Sequence, residues 1–386
     1  MNSRSLDAAW WAVIARFLVH GLVVSTWLSR IPAIQSLLHL KNGVLGLCLL
    51  GSAVGSLGSI PLCGRMVTRY GSSRVTTWTS VAFCLTLIFP GLAFNAFTLF
   101  LALTAYGAAA GANDVAMNAQ GVAVENVLGH PTMSRFHAMF SIGGMIGAGL
   151  GGLVAAHHIQ PLPHLFGGSL IFLAITLSAA SLTSEFEEQH AGGAHRLPFR
   201  AIPPVLLALC AIGFCAFLSE GAMADWIAVY LKQVLEAGQG LAAIGYAVFS
   251  VGMATFRLLG DAITARLGPA RTVRTAALVA MFGLIFALSM PSPYWALPGF
   301  AAAGAGFSVI IPLVFAAGGR VPKVSRGAGI ATVSGIGYLA FLFGPPSIGF
   351  LSQLTNLRYA LFLVVLLMFI SAWLSRVMER LGRQEG

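Results

Sequence analysis

Long apolar runs, separated by short polar or Gly/Pro-rich stretches, fill almost the whole chain. Most runs have about the 20 residues that a helix needs to cross the hydrocarbon core of a bilayer. The pattern therefore predicts twelve membrane-spanning helices, and an even number places both termini on one side. The predicted runs cover residues 10–29, 43–64, 75–94, 97–122, 133–155, 164–182, 203–231, 240–263, 272–290, 293–318, 327–352 and 358–377.

The composition agrees with this pattern. The chain has 386 residues, of which 57% are hydrophobic and only 9% charged, whereas a soluble domain carries roughly 25% charged residues. Twelve crossings of about 20 residues each consume about 240 residues. The remainder forms connections and leaves no room for a soluble catalytic domain, so the sequence predicts a compact all-α membrane protein.

The distribution of basic side chains predicts the orientation. Sixteen Arg and Lys residues fall on the connections of one side. Cytoplasmic connections carry the excess of Lys and Arg, so both termini are predicted to be cytoplasmic. The net charge is +10, but the basic residues are scattered in groups of one to three and form no basic patch for nucleic acid. The opposite side receives only Arg30, Lys41, Lys232 and Arg358.

Glycines recur at a fixed offset of 197 residues. Gly71 and Gly268 follow corresponding runs, and Gly55 and Gly252 share the same offset. The repeat predicts two six-helix bundles with the same direction, related by a pseudo-twofold axis along the membrane normal, and a substrate site between them near the midplane. The expected parts are a first bundle over 1–183, a cytoplasmic inter-bundle loop over 184–202 and a second bundle over 203–386.

The connection between the second and third runs carries a family motif. It reads Gly-Arg-Met-Val-Thr-Arg-Tyr-Gly-Ser-Ser-Arg over residues 64–74. The segment resembles the Gly-x-Leu-x-Asp-Arg-x-Gly-Arg-Arg loop of the major facilitator superfamily of secondary transporters, with Thr68 in place of the Asp. The resemblance covers essentially the whole chain and implies a transporter of the cytoplasmic membrane that works by alternating access.

Four further stretches resemble the YbjJ-like branch of bacterial inner-membrane proteins. The branch implies a transporter and does not imply a particular substrate. The stretches are residues 25–34, residues 114–125, the pair Glu220-Gly221 followed by Asp225-Trp226, and residues 337–346.

Ionisable side chains inside apolar runs cost about 2.5 to 3.5 kcal/mol each and mark transport pathways. Asp114 and Asn118 stand one helical turn apart, and Glu220 lies deep in the seventh run. Asp114 and Glu220 are therefore the proton-coupling candidates. Asp114 has the alternative of a static ion-pair partner near the cytoplasmic interface, and Glu220 that of a lining residue that does not titrate.

Other polar groups inside the runs are candidates for the substrate cavity. Arg16 and Arg257 lie at a depth comparable to that of Asp114, so a pair of either with Asp114 is possible, and the sequence does not decide between them. Each His has the alternative of a hydrogen-bonded packing residue, and Asp225 that of an interfacial or outer-gate residue. The cavity candidates are His20, Asn113, Asn118, Gln120, His137, Asp225, Trp226, Arg257 and Tyr338.

The family resemblance implies a salt-bridge cluster that closes the cytoplasmic gate. Exposed pairs contribute only about 0 to 1 kcal/mol each, so the gate would depend on several pairs. The resemblance also implies that the glycine-rich fifth run packs between the halves. Its motif is similar to that of antiporters, and this similarity favours export. Ala148 stands where that motif usually has Pro. The gate candidates are Arg69, Gly71, Arg74, Glu125, Asp261, Arg266 and Arg320.

These features predict a secondary transporter that moves a small organic solute, coupled to protons. The alternatives are export of a drug-like compound or metabolite, uptake of a sugar-like nutrient, and a sensor or scaffold with a transporter fold. The sequence contains no Gly-rich phosphate loop, nucleophile–base pair or metal-ligand cluster. We therefore expect no enzymatic activity, cofactor or bound metal. The expected partners are the solute, protons and the lipid bilayer, without nucleic acid, for a monomeric protein.

Overall fold

A computed structural model describes residues 3–130, 132–182, 202–322 and 324–382, with the side chains of residues 3–5, 326 and 380–382 outside that description. The described chain contains twelve helical segments that are long and apolar enough to cross a membrane, which confirms the predicted number. The expected inter-bundle loop lies outside the described residues, except for residue 202.

We number the segments as spans 1 to 12 in chain order. They are Leu6–Leu37, Asn42–Tyr70, Ser72–Leu92, Ala96–Leu128, Met133–Ala156, Pro161–Ala180, Pro204–Gln233, Gln239–Leu267, Pro269–Ser289, Pro293–Gly318, Gly327–Leu354 and Leu357–Glu379.

Span 1 is longer than the predicted run because the chain resumes a helix after a short interruption. The helix Ser3–Leu28 ends, and a second helix, Ile31–Leu37, follows with a proline in its first turn. Proline suits this position because its missing N–H would have no partner there. Arg30, predicted to lie on a connection, is therefore inside span 1 and is only 1% exposed.

Span 11 is also interrupted. The helix Arg326–Tyr338 ends at Leu339, and the helix Ala340–Leu354 follows. Pro345 and Pro346 lie inside the second helix. A proline ring clashes with the carbonyl four residues earlier, so the two prolines disturb the turn that adjoins Leu339.

The 197-residue repeat is present in the packing. Gly55 of span 2 lies against the backbone of Thr104 in span 4, and Gly252 of span 8 lies against Ala301 in span 10. Both glycine contacts leave no space for a methyl group. The reverse contacts, also separated by 197 residues, are Gly107 on Ser52 and Gly304 on Phe249.

The turns that follow spans 2 and 8 are equivalent as well. Gly71 has φ 84° and ψ 148°, and Gly268 has φ 76° and ψ 155°. Side chains with a Cβ rarely adopt a positive φ. The glycine at each of these positions is therefore required by the backbone, and Gly71, a gate candidate, has this structural role.

Contacts divide the chain into two units. Unit 1 comprises Met1–His190 and Ile227–Ala247, and unit 2 comprises Ala191–Trp226 and Val248–Gly386. In unit 1, span 2 packs on span 4 and span 1 packs on span 5; in unit 2, span 9 packs on spans 10 and 12. Unit 1 thus includes the end of span 7 and the start of span 8. The domain boundaries expected at residues 183 and 203 stay a prediction.

The glycine stripe of span 5 faces span 1 of the same unit. Gly143 lies against the backbone of Leu18, and Gly147 lies against Leu22 and Ser25. Small residues allow two helices to approach closely in a membrane. The expectation that this stripe packs between the halves is wrong for Gly143 and Gly147, because the contact holds unit 1 together.

Replacing Gly143 by Ala should destabilise the protein. The added methyl group would overlap the Leu18 carbonyl, and overpacking of this kind costs about 1 to 3 kcal/mol. Gly149, on the same helix, has open space where its Cβ would lie. Thermal unfolding in detergent should therefore show a lower midpoint for Gly143→Ala and an unchanged or higher midpoint for Gly149→Ala. Equal midpoints for the two variants would contradict the packing described.

Candidate functional site

Unit 1 contains a buried polar network centred on Asn113 of span 4. Its Nδ2 lies 2.8 Å from Nδ1 of His20. Its Oδ1 accepts hydrogen bonds from Thr79 at 3.1 Å and Ser80 at 2.7 Å. Since the amide NH₂ can only donate, Nδ1 of His20 accepts, which places the proton of a neutral imidazole on Nε2. Both lone pairs of Oδ1 are thus used inside the bundle.

His20 and Asn113 are 6% and 1% exposed, respectively. The His20 ring lies between Phe83 and Phe140, with ring centroids 4.8 and 5.7 Å away. The structure therefore places both candidates in the core of unit 1, where they satisfy each other's hydrogen bonds. This arrangement matches the packing alternative for His20, and a role in the substrate cavity stays a prediction.

Arg16, four residues before His20 in span 1, is buried against neutral oxygen atoms. It donates to Oε1 of Gln120, to the Thr77 hydroxyl at 2.6 Å and to the Ser73 carbonyl at 3.4 Å. Gln120, a cavity candidate, is fully buried by this contact. Of the two pairs left open by the sequence, the one between Arg16 and Asp114 does not form in the described part of the chain.

Asp114 has Asn118 as its partner. Asn118 Nδ2 donates to Asp114 Oδ1 at 3.1 Å and to the Asp114 backbone carbonyl at 2.8 Å. Both side chains are half-buried. The predicted adjacency of one helical turn is confirmed, and it leaves the Asp114 carboxyl partly accessible.

Unit 2 contains an ion pair inside the membrane-spanning region. Arg257 NH2 of span 8 lies 3.7 Å from Glu220 Oε1 of span 7, with side chains 15% and 25% exposed. Arg257 Nε also donates to the Ser308 carbonyl at 3.4 Å, where span 10 is interrupted. Both charged residues were identified from the sequence, but their pairing was not. The sequence instead left open a pair between Arg257 and Asp114.

Aromatic rings adjoin this pair. The aromatic cluster consists of Phe217, Phe315, Tyr338 and Phe341, and the Phe217 centroid lies 6.0, 5.3 and 5.5 Å from the other three. Phe341 packs on Gly221, the residue after Glu220. Tyr338 was a candidate, whereas the three phenylalanines were missed because nothing in an apolar run distinguishes them from packing residues.

The remaining cavity candidates lie at separate places. Trp226 is fully buried, and its Nε1 has no hydrogen-bond partner among the described residues. Asp225 beside it is half-buried. The His137 ring contacts Phe17 edge-on at 5.3 Å, and its carbonyl accepts from Ser141 at 3.3 Å. None of these contacts tests a role in substrate binding, which stays a prediction.

The gate candidates have diverse surroundings. Arg69 lies over the Tyr70 ring at 5.2 Å. Glu125 accepts hydrogen bonds from the backbone N–H groups of Thr132 at 2.5 Å and Met133 at 2.7 Å. A carboxylate at a helix N-terminus is stabilising, so Glu125 caps span 5. Arg74, Asp261, Arg266 and Arg320 are exposed.

An ion pair that sequence reasoning missed lies in unit 2. Arg274 NH2 of span 9 is 2.6 Å from Glu379 Oε1 at the end of span 12. The side chains are 31% and 37% exposed. Such an exposed pair contributes about 0 to 1 kcal/mol, and the implied gate cluster stays a prediction.

Comparisons with known proteins agree with this architecture. Residues 12–323 match the family model described as Major Facilitator Superfamily. The chain is 34% identical over 365 residues to an uncharacterized MFS-type transporter of Yersinia pestis, covering 94% of each chain. It is 32% identical over 385 residues to the uncharacterized transporter y4wD of Sinorhizobium fredii, covering 98% of this chain and 100% of the relative.

The fold is also found among solved structures. A crystal structure of a mutant of the nucleoside transporter NupG superposes with a TM-score of 0.78, covering 96% of this chain and 99% of that chain at 13% identity. At this identity the similarity extends to the fold alone. The YbjJ-like branch stays a prediction.

Replacing Asn113 by Ala should cost more stability than replacing Asn118 by Ala. The first change removes the Asn113 partner of the buried Ser80 and His20 groups, and each unsatisfied buried group costs about 1 to 3 kcal/mol. Thr79 still has the Val75 carbonyl at 2.9 Å. Asn118 is half-buried on the same span, so water can replace its bond. Unfolding midpoints in detergent measure the difference. A loss for Asn118→Ala as large as that for Asn113→Ala would contradict the central position of Asn113.

Proposed function

Because the chain belongs to the Major Facilitator Superfamily, we propose that it exports a small organic solute by alternating access, coupled to protons. It is a multi-pass protein of the cytoplasmic membrane. We further propose that the protein acts as a monomer and has no enzymatic activity. The observation that carries the coupling is the Glu220–Arg257 pair within spans 7 and 8 of unit 2.

The geometry of this pair suits a reversible interaction. The 3.7 Å separation is longer than the roughly 2.7 to 2.9 Å of a tight charge-assisted hydrogen bond. Both side chains are partly exposed, so water and a solute can reach them. Arg257 stays charged under all physiological conditions. Glu220 is therefore the member of the pair that exchanges a proton.

Protonation of Glu220 would change the electrostatics of unit 2. A neutral Glu220 leaves Arg257 with a charge that must find another partner, because an uncompensated charge in the membrane is costly. A solute that pairs with one of the two residues competes with the pair itself. Proton and solute binding are thus linked through one interaction, as coupled transport requires.

Asp114 is the second proton site of the proposal. It is half-buried in unit 1, where its partner is the neutral amide of Asn118 rather than a basic side chain. A carboxyl with a neutral partner can bind a proton without breaking an ion pair. Removal of the Asp114 carboxyl should therefore reduce proton coupling without affecting the Glu220–Arg257 interaction.

The distribution of aromatic and amide groups supports export of an apolar, planar solute. Asn113 and Gln120, the amides that a sugar site would need, are buried by contacts within unit 1. Tyr338 and Phe341 are partly exposed and pack on Phe217, and Phe341 also packs on Gly221, the residue after Glu220. Rings of this kind stack on planar solutes and attract cations. The Ala148 variant of the antiporter-like motif in span 5 is consistent with this direction.

Proton flux into proteoliposomes tests the proposal. Purified protein is reconstituted with a pH-sensitive dye and exposed to planar cations, nucleosides, sugars, sugar acids and amino acids. We expect flux driven by a planar compound, at least about tenfold slower in Glu220→Gln, because the neutral side chain cannot exchange a proton. Asp114→Asn should reduce the flux less. Solute movement without protons, or wild-type flux in Glu220→Gln, would contradict coupling.

The matched control is Glu379→Gln, which removes the carboxylate of the Arg274–Glu379 pair in the same unit. Its flux should equal that of the wild-type protein. Proton flux driven by sugars in the direction of uptake would favour the nutrient alternative. A compound that binds without moving, and without moving protons, would favour a sensor or scaffold.

A further inference from the structure

Unit 1 contains a small cavity at the end predicted to face the outside. Its volume is about 10 Å³, which is close to the space that one water-sized sphere occupies. Its polar lining comes from the interrupted part of span 1, the last turn of span 7 and the first residue of span 8. These groups are Ser29, Arg30, Ser36, Lys232 and Gln239.

Arg30 is the buried charge of this cavity. The residue is 1% exposed, and one terminal nitrogen donates to the Ile159 carbonyl. The other terminal nitrogen, NH1, and Nε have no hydrogen-bond partner among the described residues. A guanidinium is always charged, and a buried charge without a partner is strongly destabilising. The site therefore favours an acceptor that carries negative charge.

The surroundings of Arg30 add positive rather than negative charge. Lys232 lines the same cavity. His164 of span 6 interacts electrostatically with Arg30, and its Nδ1 is also buried without a partner in the described part of the chain. No carboxylate among the described residues forms an ion pair with Arg30. Glu236, in the connection between spans 7 and 8, is exposed.

The cavity wall is fixed by hydrogen bonds. Gln35 Nε2 donates to Asn42 Oδ1 at 2.8 Å, and Gln35 Oε1 accepts from Gln233 Nε2 at 2.9 Å. These bonds connect the second helix of span 1 with the residue that follows Lys232. The elements that carry Arg30 and Lys232 are thereby joined beside the cavity that both side chains line.

We propose that this cavity binds a small monovalent anion of the size of chloride, with Arg30 and Lys232 as its ligands. Two cationic donors without a nearby carboxylate select an anion. The cavity volume restricts that anion to one that consists of a few atoms at most. The residues of the site belong to unit 1 alone, and none of them is part of the Glu220–Arg257 pair. The inference is therefore independent of the proposed proton coupling.

Chloride binding to the purified protein in detergent tests the proposal. The ³⁵Cl resonance should broaden in the presence of the protein, and the broadening should saturate as chloride is added. Unfolding midpoints should rise with chloride relative to gluconate at equal ionic strength, because a ligand that binds only the folded state stabilises it. Formate should compete with chloride, whereas sulfate and gluconate should not.

Variants locate the site. Arg30→Gln should weaken chloride binding by about tenfold or more, the loss expected when a hydrogen bond to a charged group is removed. Lys232→Gln should weaken it less, and Arg30→Lys should retain part of it. Lys41→Gln is the matched control, because it removes a basic charge at the same end from an exposed residue outside the cavity.

Two results would overturn the proposal. The first is an equal effect of chloride and gluconate on the wild-type protein, which would indicate ionic strength alone. The second is a chloride affinity equal to that of the wild-type protein both in Lys232→Gln and in one of the single variants Arg30→Gln and Arg30→Lys. If Arg30→Gln does not fold, two measurements still distinguish an anion site from a site filled by water. They are the comparison of chloride with gluconate on the wild-type protein and the chloride affinity of Lys232→Gln.

Discussion

Polar side chains within the twelve spans must find their partners inside the protein, because the hydrocarbon core offers no water. The two units meet this constraint in different ways. In unit 1, Arg16 is surrounded by neutral oxygen atoms, and Asn113 joins His20 to two hydroxyl groups. In unit 2, Glu220 and Arg257 compensate each other's charge. The unit 1 contacts join each side chain to neutral groups, whereas in unit 2 the charge of Glu220 is the counterpart of the Arg257 charge.

The internal repeat separates the scaffold from the chemistry. Close glycine contacts recur in both units at the 197-residue offset, as Gly55 on Thr104 and Gly252 on Ala301 show. The polar residues of the two buried networks do not recur. Phe217 occupies the position that corresponds to His20, and Ile60 the position that corresponds to Arg257. The repeat thus accounts for the close glycine contacts of both units, whereas His20 and Arg257 each occur in one unit alone.

The number of spans, the repeat and the family could be predicted from the sequence because each depends on local features. An apolar run of sufficient length crosses the membrane whatever its neighbours are, and a glycine with positive φ marks the same turn in both halves. Pairing is different, since it depends on how each helix is rotated. Spans that are apolar on every face do not encode that rotation, so Arg16 could not be assigned to Gln120 rather than Asp114.

The interruption in span 1 shows a related effect on topology. Counting basic residues treats Arg30 as part of a connection, yet Pro32 restarts the helix and Arg30 is buried. Lys232 likewise lines the cavity. A cation inside a span is not a loop charge of the kind that orients a chain. On the side predicted to be outer, Lys41 then remains in a connection and Arg358 lies in the first turn of span 12, so burial of Arg30 does not weaken the predicted asymmetry.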